Sequence, residues 1–181
     1  AFVASDFAFR GPDGLRLPND SIPKIDDIST VLITWRYQKN MDNGQSITYA
    51  KDPLNPTFCA VAAALRITTR TKRLKVASGN PIALYVSHHR SITQCNYVDD
   101  THVSFLLREA AKSLYKITAK ADLNRFTAHS IRVGACFLLH ANGINSETIQ
   151  FRLRWRSDAF KFYLRNVDAL AEQHRNVLRE T

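Results

Sequence analysis

His129 and Arg132 stand three positions apart in residues 126–135 (FTAHSIRVGA). On a helix that spacing puts both side chains on one face, so an imidazole and a guanidinium converge. The guanidinium fork matches phosphate oxygens bidentately, and the imidazole donates a hydrogen bond or exchanges a proton near neutral pH. A second group lies in residues 154–165 (RWRSDAFKFYLR), where Trp155 precedes Tyr163 by eight positions. Ser157 starts a short helix there, on which Tyr163 shares a face with Ala159 and Phe160 and is held by packing. An imidazole beside a guanidinium fork is a pair suited to binding an anion such as a phosphate. Each pattern is weak alone: HxxR arises by chance, and an isolated Trp or Tyr reads as core.

The elements that must position these residues are legible from periodicity. Residues 28–39 (ISTVLITWRYQK) alternate Val31, Ile33, Trp35 and Tyr37, the period of a strand, and residues 45–50 (QSITYA) answer it. Residues 40–44 supply the turn, which places Lys39 at the mouth of a β-hairpin. Phe7 to Arg10 reads as a strand, Ile82 to Val86 as a short one, and Phe58 to Arg70 as a helix. In residues 100–118, Val103, Leu106, Leu107, Ala110, Leu114 and Ile117 predict an amphipathic helix capped by Asp100 or Thr101. After residue 128 four short helices are expected, the first stopped by Gly143 and the others capped at Asn145 or Ser146, Ser157 and Asp168. This is an α+β chain, a small antiparallel sheet near the N-terminus packed on a mostly helical body. The length of 181 residues fits one domain.

Charge narrows the partner. The net charge is +9, and the surplus is uneven: residues 1–60 hold six basic and seven acidic side chains, residues 61–128 eleven and four, and residues 129–181 eight and five. Its densest cluster, Arg66, Arg70, Lys72, Arg73 and Lys75, suits phosphate contact, as do Arg154 and Arg156 beside Trp155. A cationic helix end near its own dipole is the plainer reading of any single member. No apolar run is long enough to span a membrane. The three cysteines form no CxxC pair, so neither a disulfide framework nor a zinc site is expected, and a reducing compartment fits. His88 and His89 lack an acidic or thiol neighbour at ligand spacing and are expected in a polar loop. No metal or other cofactor is expected.

Order and context together resemble the tyrosine recombinases, the phage-integrase type, and in particular those of Crypton-type mobile elements of eukaryotes. His129-x-x-Arg132 is similar to the family's second-arginine box, Trp155 in LRWRSDAF to its His-or-Trp, Tyr163 to its nucleophile and Lys39 to its catalytic lysine. The resemblance covers residues 28 to 170 or so. It implies that Tyr163 attacks a scissile DNA phosphate to give a 3′-phosphotyrosine and a free 5′-hydroxyl, with Lys39 protonating the leaving oxygen. It also implies double-stranded DNA as substrate and a homo-oligomer on DNA, formed through the amphipathic C-terminal helix at residues 168–180, whose own apolar stripe fits equally a helix folded back on its domain. Location would be the nucleus in a eukaryote and the cytoplasm otherwise. The family's first arginine has no counterpart, since Arg10 and Arg16 lie in strand and turn (FRGPDGLRLP). The expectation is therefore a single catalytic domain at residues 1–181 lacking its N-terminal part, the first-arginine helix and any core-binding domain, and poorly active by itself. The alternatives are a non-catalytic DNA-binding protein derived from a recombinase and a type IB topoisomerase.

Overall fold

The alternating segments form the strands they predict. A computed structural model describes residues 1–18, 21–37, 43–89 and 92–164. In it β1 (Phe7–Arg10), β2 (Thr30–Trp35) and β3 (Gln45–Ala50) make an antiparallel sheet in the order β1-β2-β3. Val31 pairs with Phe9 on one side and Tyr49 on the other. Phe7, Phe9, Val31 and Ile28 pack with Val61, Ala62 and Ala64 of helix α1 (Ala60–Arg73) and with Ile82 to form one buried core. Each fully buried aliphatic or aromatic side chain there contributes roughly 1.5–3 kcal/mol. Cys59 caps α1, its Sγ accepting from Ala62 N at 3.4 Å and Asp52 N at 3.3 Å. Burial pushes this thiol's pKa up, and those N–H donors outweigh it so that the net shift is downward. Asp6, buried, accepts from Arg36 Nε at 2.6 Å and ties the N-terminal segment to the residue after β2.

A two-stranded ribbon follows, β4 (Leu84–His89) with β5 (Ile92–Tyr97). The backbone of His88 and His89 is therefore strand, where a loop is expected. Residues 93–96 (TQCN) carry no apolar alternation, and β5 exists through its ladder with β4, continued by Val98 N donating to Ala83 O at 2.8 Å.

The chain divides into two units, Ala1–Val98 and Asp99–Thr181. The second holds α2 (Asp100–Tyr115), α3 (Lys120–Leu123), α4 (Ala128–Ala141), α5 (Ser146–Leu153) and a 3-10 segment, Asp158–Leu164. Asp99 caps α2 and accepts from Thr101 N and His102 N, both at 3.0 Å. The Thr101 hydroxyl, then the His102 N–H, hold its carboxyl well below the usual aspartate range. Leu106 and Leu114, expected on the buried stripe of α2, are exposed, and Ala111 is buried instead. The inward line carries Ser104, whose hydroxyl accepts from Ala128 N at the start of α4, and Arg108, whose Nε donates to Phe126 O just ahead of it. Hydrogen-bond demand at that helix end sets the rotation of α2 in place of the leucines. Cys136, Ile149, Phe160 and Leu164 form the unit's buried cluster, and burial raises the Cys136 thiol pKa. No helix among the described residues is long and apolar enough to cross a membrane. The helix expected at 168–180 lies outside the described residues.

Candidate active site

The first turn of α4 is fixed by two serine hydroxyls. Thr127 N donates to Ser130 Oγ at 3.0 Å, Ser130 Oγ donates to Arg125 O at 3.0 Å, and Ala128 N donates to Ser104 Oγ at 2.9 Å. Such caps satisfy N–H groups that a helix start leaves orphaned. Arg108 Nε adds a bond to Phe126 O at 3.2 Å. His129 and Arg132 thus project from an anchored turn. Ser104 and Arg108 are the supports that periodicity hides, since both sit where α2 is read only for its apolar residues.

The other half comes from the end of α5. Arg154 adopts φ 58°, and Arg154 N and Trp155 N donate to Phe151 O at 3.2 Å and Gln150 O at 2.9 Å. This is a Schellman cap with an arginine where glycine is usual. The reversal does two things. It leaves Leu153 O and Arg154 O accepting from Arg132 Nη2 at 2.7 and 2.8 Å, and it lays Trp155 under that guanidinium, with Cζ 4.3 Å from the ring centroid. Such stacking is worth about 0.5–1 kcal/mol where solvent reaches it.

The 3-10 segment then brings Tyr163 back. A 3-10 helix repeats every three residues, so Phe160 and Tyr163 share one side. Phe160 is fully buried, while Tyr163 keeps 40% of its surface exposed. The His129, Trp155 and Tyr163 rings meet pairwise, at 6.1 Å for His129–Trp155, 5.9 Å for His129–Tyr163 and 5.8 Å for Trp155–Tyr163. Tyr163 Oη lies 3.1 Å from His129 Nε2 across 34 residues of sequence. With the His129 tautomer that leaves Nε2 bare, the phenol donates to it. Among the described residues the Trp155 indole N–H is buried without a partner, a deficit worth about 1–3 kcal/mol. The Arg132 guanidinium is engaged there only through Nη2, by hydrogen bonds to the two carbonyls. Its other N–H groups remain for an anion.

The structure therefore brings four sequence candidates together, His129, Arg132, Trp155 and Tyr163, with Arg154 and Arg156 flanking Trp155 in the chain. All belong to the unit Asp99–Thr181. Lys39 lies outside the described residues, although β2 and β3, which flank it, pair as expected. Arg66, Arg70, Lys72, Arg73 and Lys75 belong to the other unit, on α1 and just past it. Arg10 and Arg16 face each other in an isolated β-bridge, strand and turn as expected. Comparison with family models, with characterised proteins and with solved structures finds no match. The site is accordingly read from its geometry and from the order of its residues.

Proposed function

We propose that this chain is the catalytic region of a site-specific DNA recombinase that cleaves and rejoins strands through a 3′-phosphotyrosine. The observation that carries the reading is the 3.1 Å approach of Tyr163 Oη to His129 Nε2. It is a nucleophile within reach of its base, beside a guanidinium that keeps donors untaken by any described residue. In this scheme Tyr163 Oη attacks the scissile phosphorus and passes its proton to His129. The phosphorus–5′-oxygen bond breaks as the phosphorus–tyrosine bond forms. Lys39 protonates the departing oxygen, as an ammonium on a flexible stem is suited to do. Arg132 binds the non-bridging oxygens as charge builds on them. The Trp155 N–H gains an acceptor in the same phosphate once Tyr163 turns toward phosphorus. Bond energy is conserved in the ester, so rejoining needs no nucleotide.

The test is a nicked suicide duplex incubated with the protein. Wild type is expected to accumulate, slowly, a covalent adduct resistant to denaturation, and Tyr163→Phe to form none while binding duplex within a few-fold of wild type. An adduct persisting in Tyr163→Phe would move the nucleophile elsewhere. Binding without any wild-type adduct would favour the non-catalytic DNA-binding alternative, and relaxation of supercoiled DNA by a monomer would favour the topoisomerase.

A further inference from the structure

The solvent face of α1 belongs to the unit that does not hold His129 or Tyr163. This helix (AVAAALRITTRTKR) contains no acidic and no aromatic residue, and its buried positions include Val61, Ala64, Thr68 and Thr71. A helix advances about 100° per residue. Arg66, Arg70 and Arg73 therefore fall within an arc of about 60° opposite Val61, Ala64, Thr68 and Thr71, while buried Ala62, in the first turn, lies beside the Arg73 edge of that arc. All three are exposed, and none forms an ion pair among the described residues. The neighbouring lysines part from this stripe. Lys72 sits on the flank and donates from Nζ to Ser21 O at 2.6 Å, and Lys75 lies beyond the helix at φ 52°.

At about 1.5 Å rise per residue the stripe is about 10 Å long, and one DNA strand presents a phosphate per about 3.4 Å of axis. We propose that Arg66, Arg70 and Arg73 form a ridge that docks along the backbone of duplex DNA and contacts about three successive phosphates of one strand. Phosphate contacts of this kind fix register and orientation and read no bases. Other anionic partners fit worse. A helix lying on a membrane needs an apolar face free to insert, and that face of α1 is packed in the core. Single-stranded nucleic acid is held by aromatic stacking, and α1 has no ring to offer. Naming DNA as the polymer rests on the recombinase reading, whereas the ridge itself does not depend on the chemistry at Tyr163.

The experiment measures affinity of the full chain for a short duplex of arbitrary sequence across about 50–200 mM salt. The triple variant Arg66→Gln, Arg70→Gln, Arg73→Gln keeps helix propensity nearly unchanged, which circular dichroism checks. Three contacts at about 0.9 each lower the salt slope by about 2.7. Wild type should then lose about 40-fold more affinity than the variant over that range. The triple Arg→Lys variant should retain the wild-type slope. An unchanged slope in the Gln variant, or no duplex binding by wild type, overturns the proposal. So does a slope difference that appears on single strands or phosphatidylserine vesicles but not on duplex. A slope change without any Tyr163 adduct leaves the ridge standing and removes the recombinase reading, while an adduct with an unchanged slope does the reverse.

Discussion

A lysine in place of Arg132 would carry the same charge, yet the site is built for a fork. One guanidinium nitrogen bridges two carbonyls while the plane stacks on Trp155, and the remaining N–H groups are thereby aimed as a unit. A lysine ammonium, a point charge on a flexible stem, cannot hold both carbonyls, stack and still present two parallel donors. Arg132→Lys is therefore expected to slow adduct formation by about 100- to 1000-fold, the range for loss of one preorganised donor, with duplex affinity little changed. Single-turnover assays on the suicide substrate measure both. A loss under ten-fold would mean that charge alone suffices there. The HxxR spacing was legible in sequence because i, i+3 geometry is local. The identity of the acceptors on Leu153 and Arg154 was not, because they are backbone atoms carried in from another helix end.

At the scale of the element, the turn from α5 to Trp155 depends on a left-handed residue that is not glycine. For an arginine this conformation costs roughly 1–2 kcal/mol, offset by the two capping bonds from Arg154 N and Trp155 N. The backbone, more than the side chain of Arg154, then orients the carbonyls and the indole. Arg154→Gly, which adopts positive φ freely, should keep adduct formation within a few-fold at saturating DNA. Arg154→Val, a β-branched residue strained at that φ, should lose about 100-fold or more by displacing the Arg132 acceptors. Equal losses in the two variants would assign the effect to the missing side chain. No sequence pattern announces this cap, since the glycine that would mark it is absent. The Asn145 cap of α5 was legible because its side-chain acceptor is written in the residue type, whereas α2 is capped by Asp99, one residue ahead of the expected Asp100 or Thr101. The leucines of α2 misled for the opposite reason: their spacing reports a possible face, and the packing of Ser104 and Arg108 decided which face is used.

For the molecule as a whole, Tyr163, His129, Trp155 and Arg132 meet within one chain. Mixing Arg132→Ala protein with Tyr163→Phe protein on one duplex should therefore restore no adduct, because neither chain holds a complete set. Recovery of adduct in the mixture would show that Tyr163 is delivered to a partner's Arg132. Composition and order alone established the α+β class, the cationic surplus after residue 60 and the paired strands around Lys39, and singled out His129, Arg132, Trp155 and Tyr163 as candidates. These follow from local periodicity, capping chemistry and side-chain type. The tertiary structure alone decided that residues 34 positions apart meet at 3.1 Å, that Arg154 turns left-handed to seat Trp155, and that the basic cluster splits into an arginine ridge and a lysine bound to Ser21 O. Each of these depends on which faces are buried and on which backbone carbonyls lie opposite a donor, and such distances are set by the packing of separate elements rather than by neighbours in sequence.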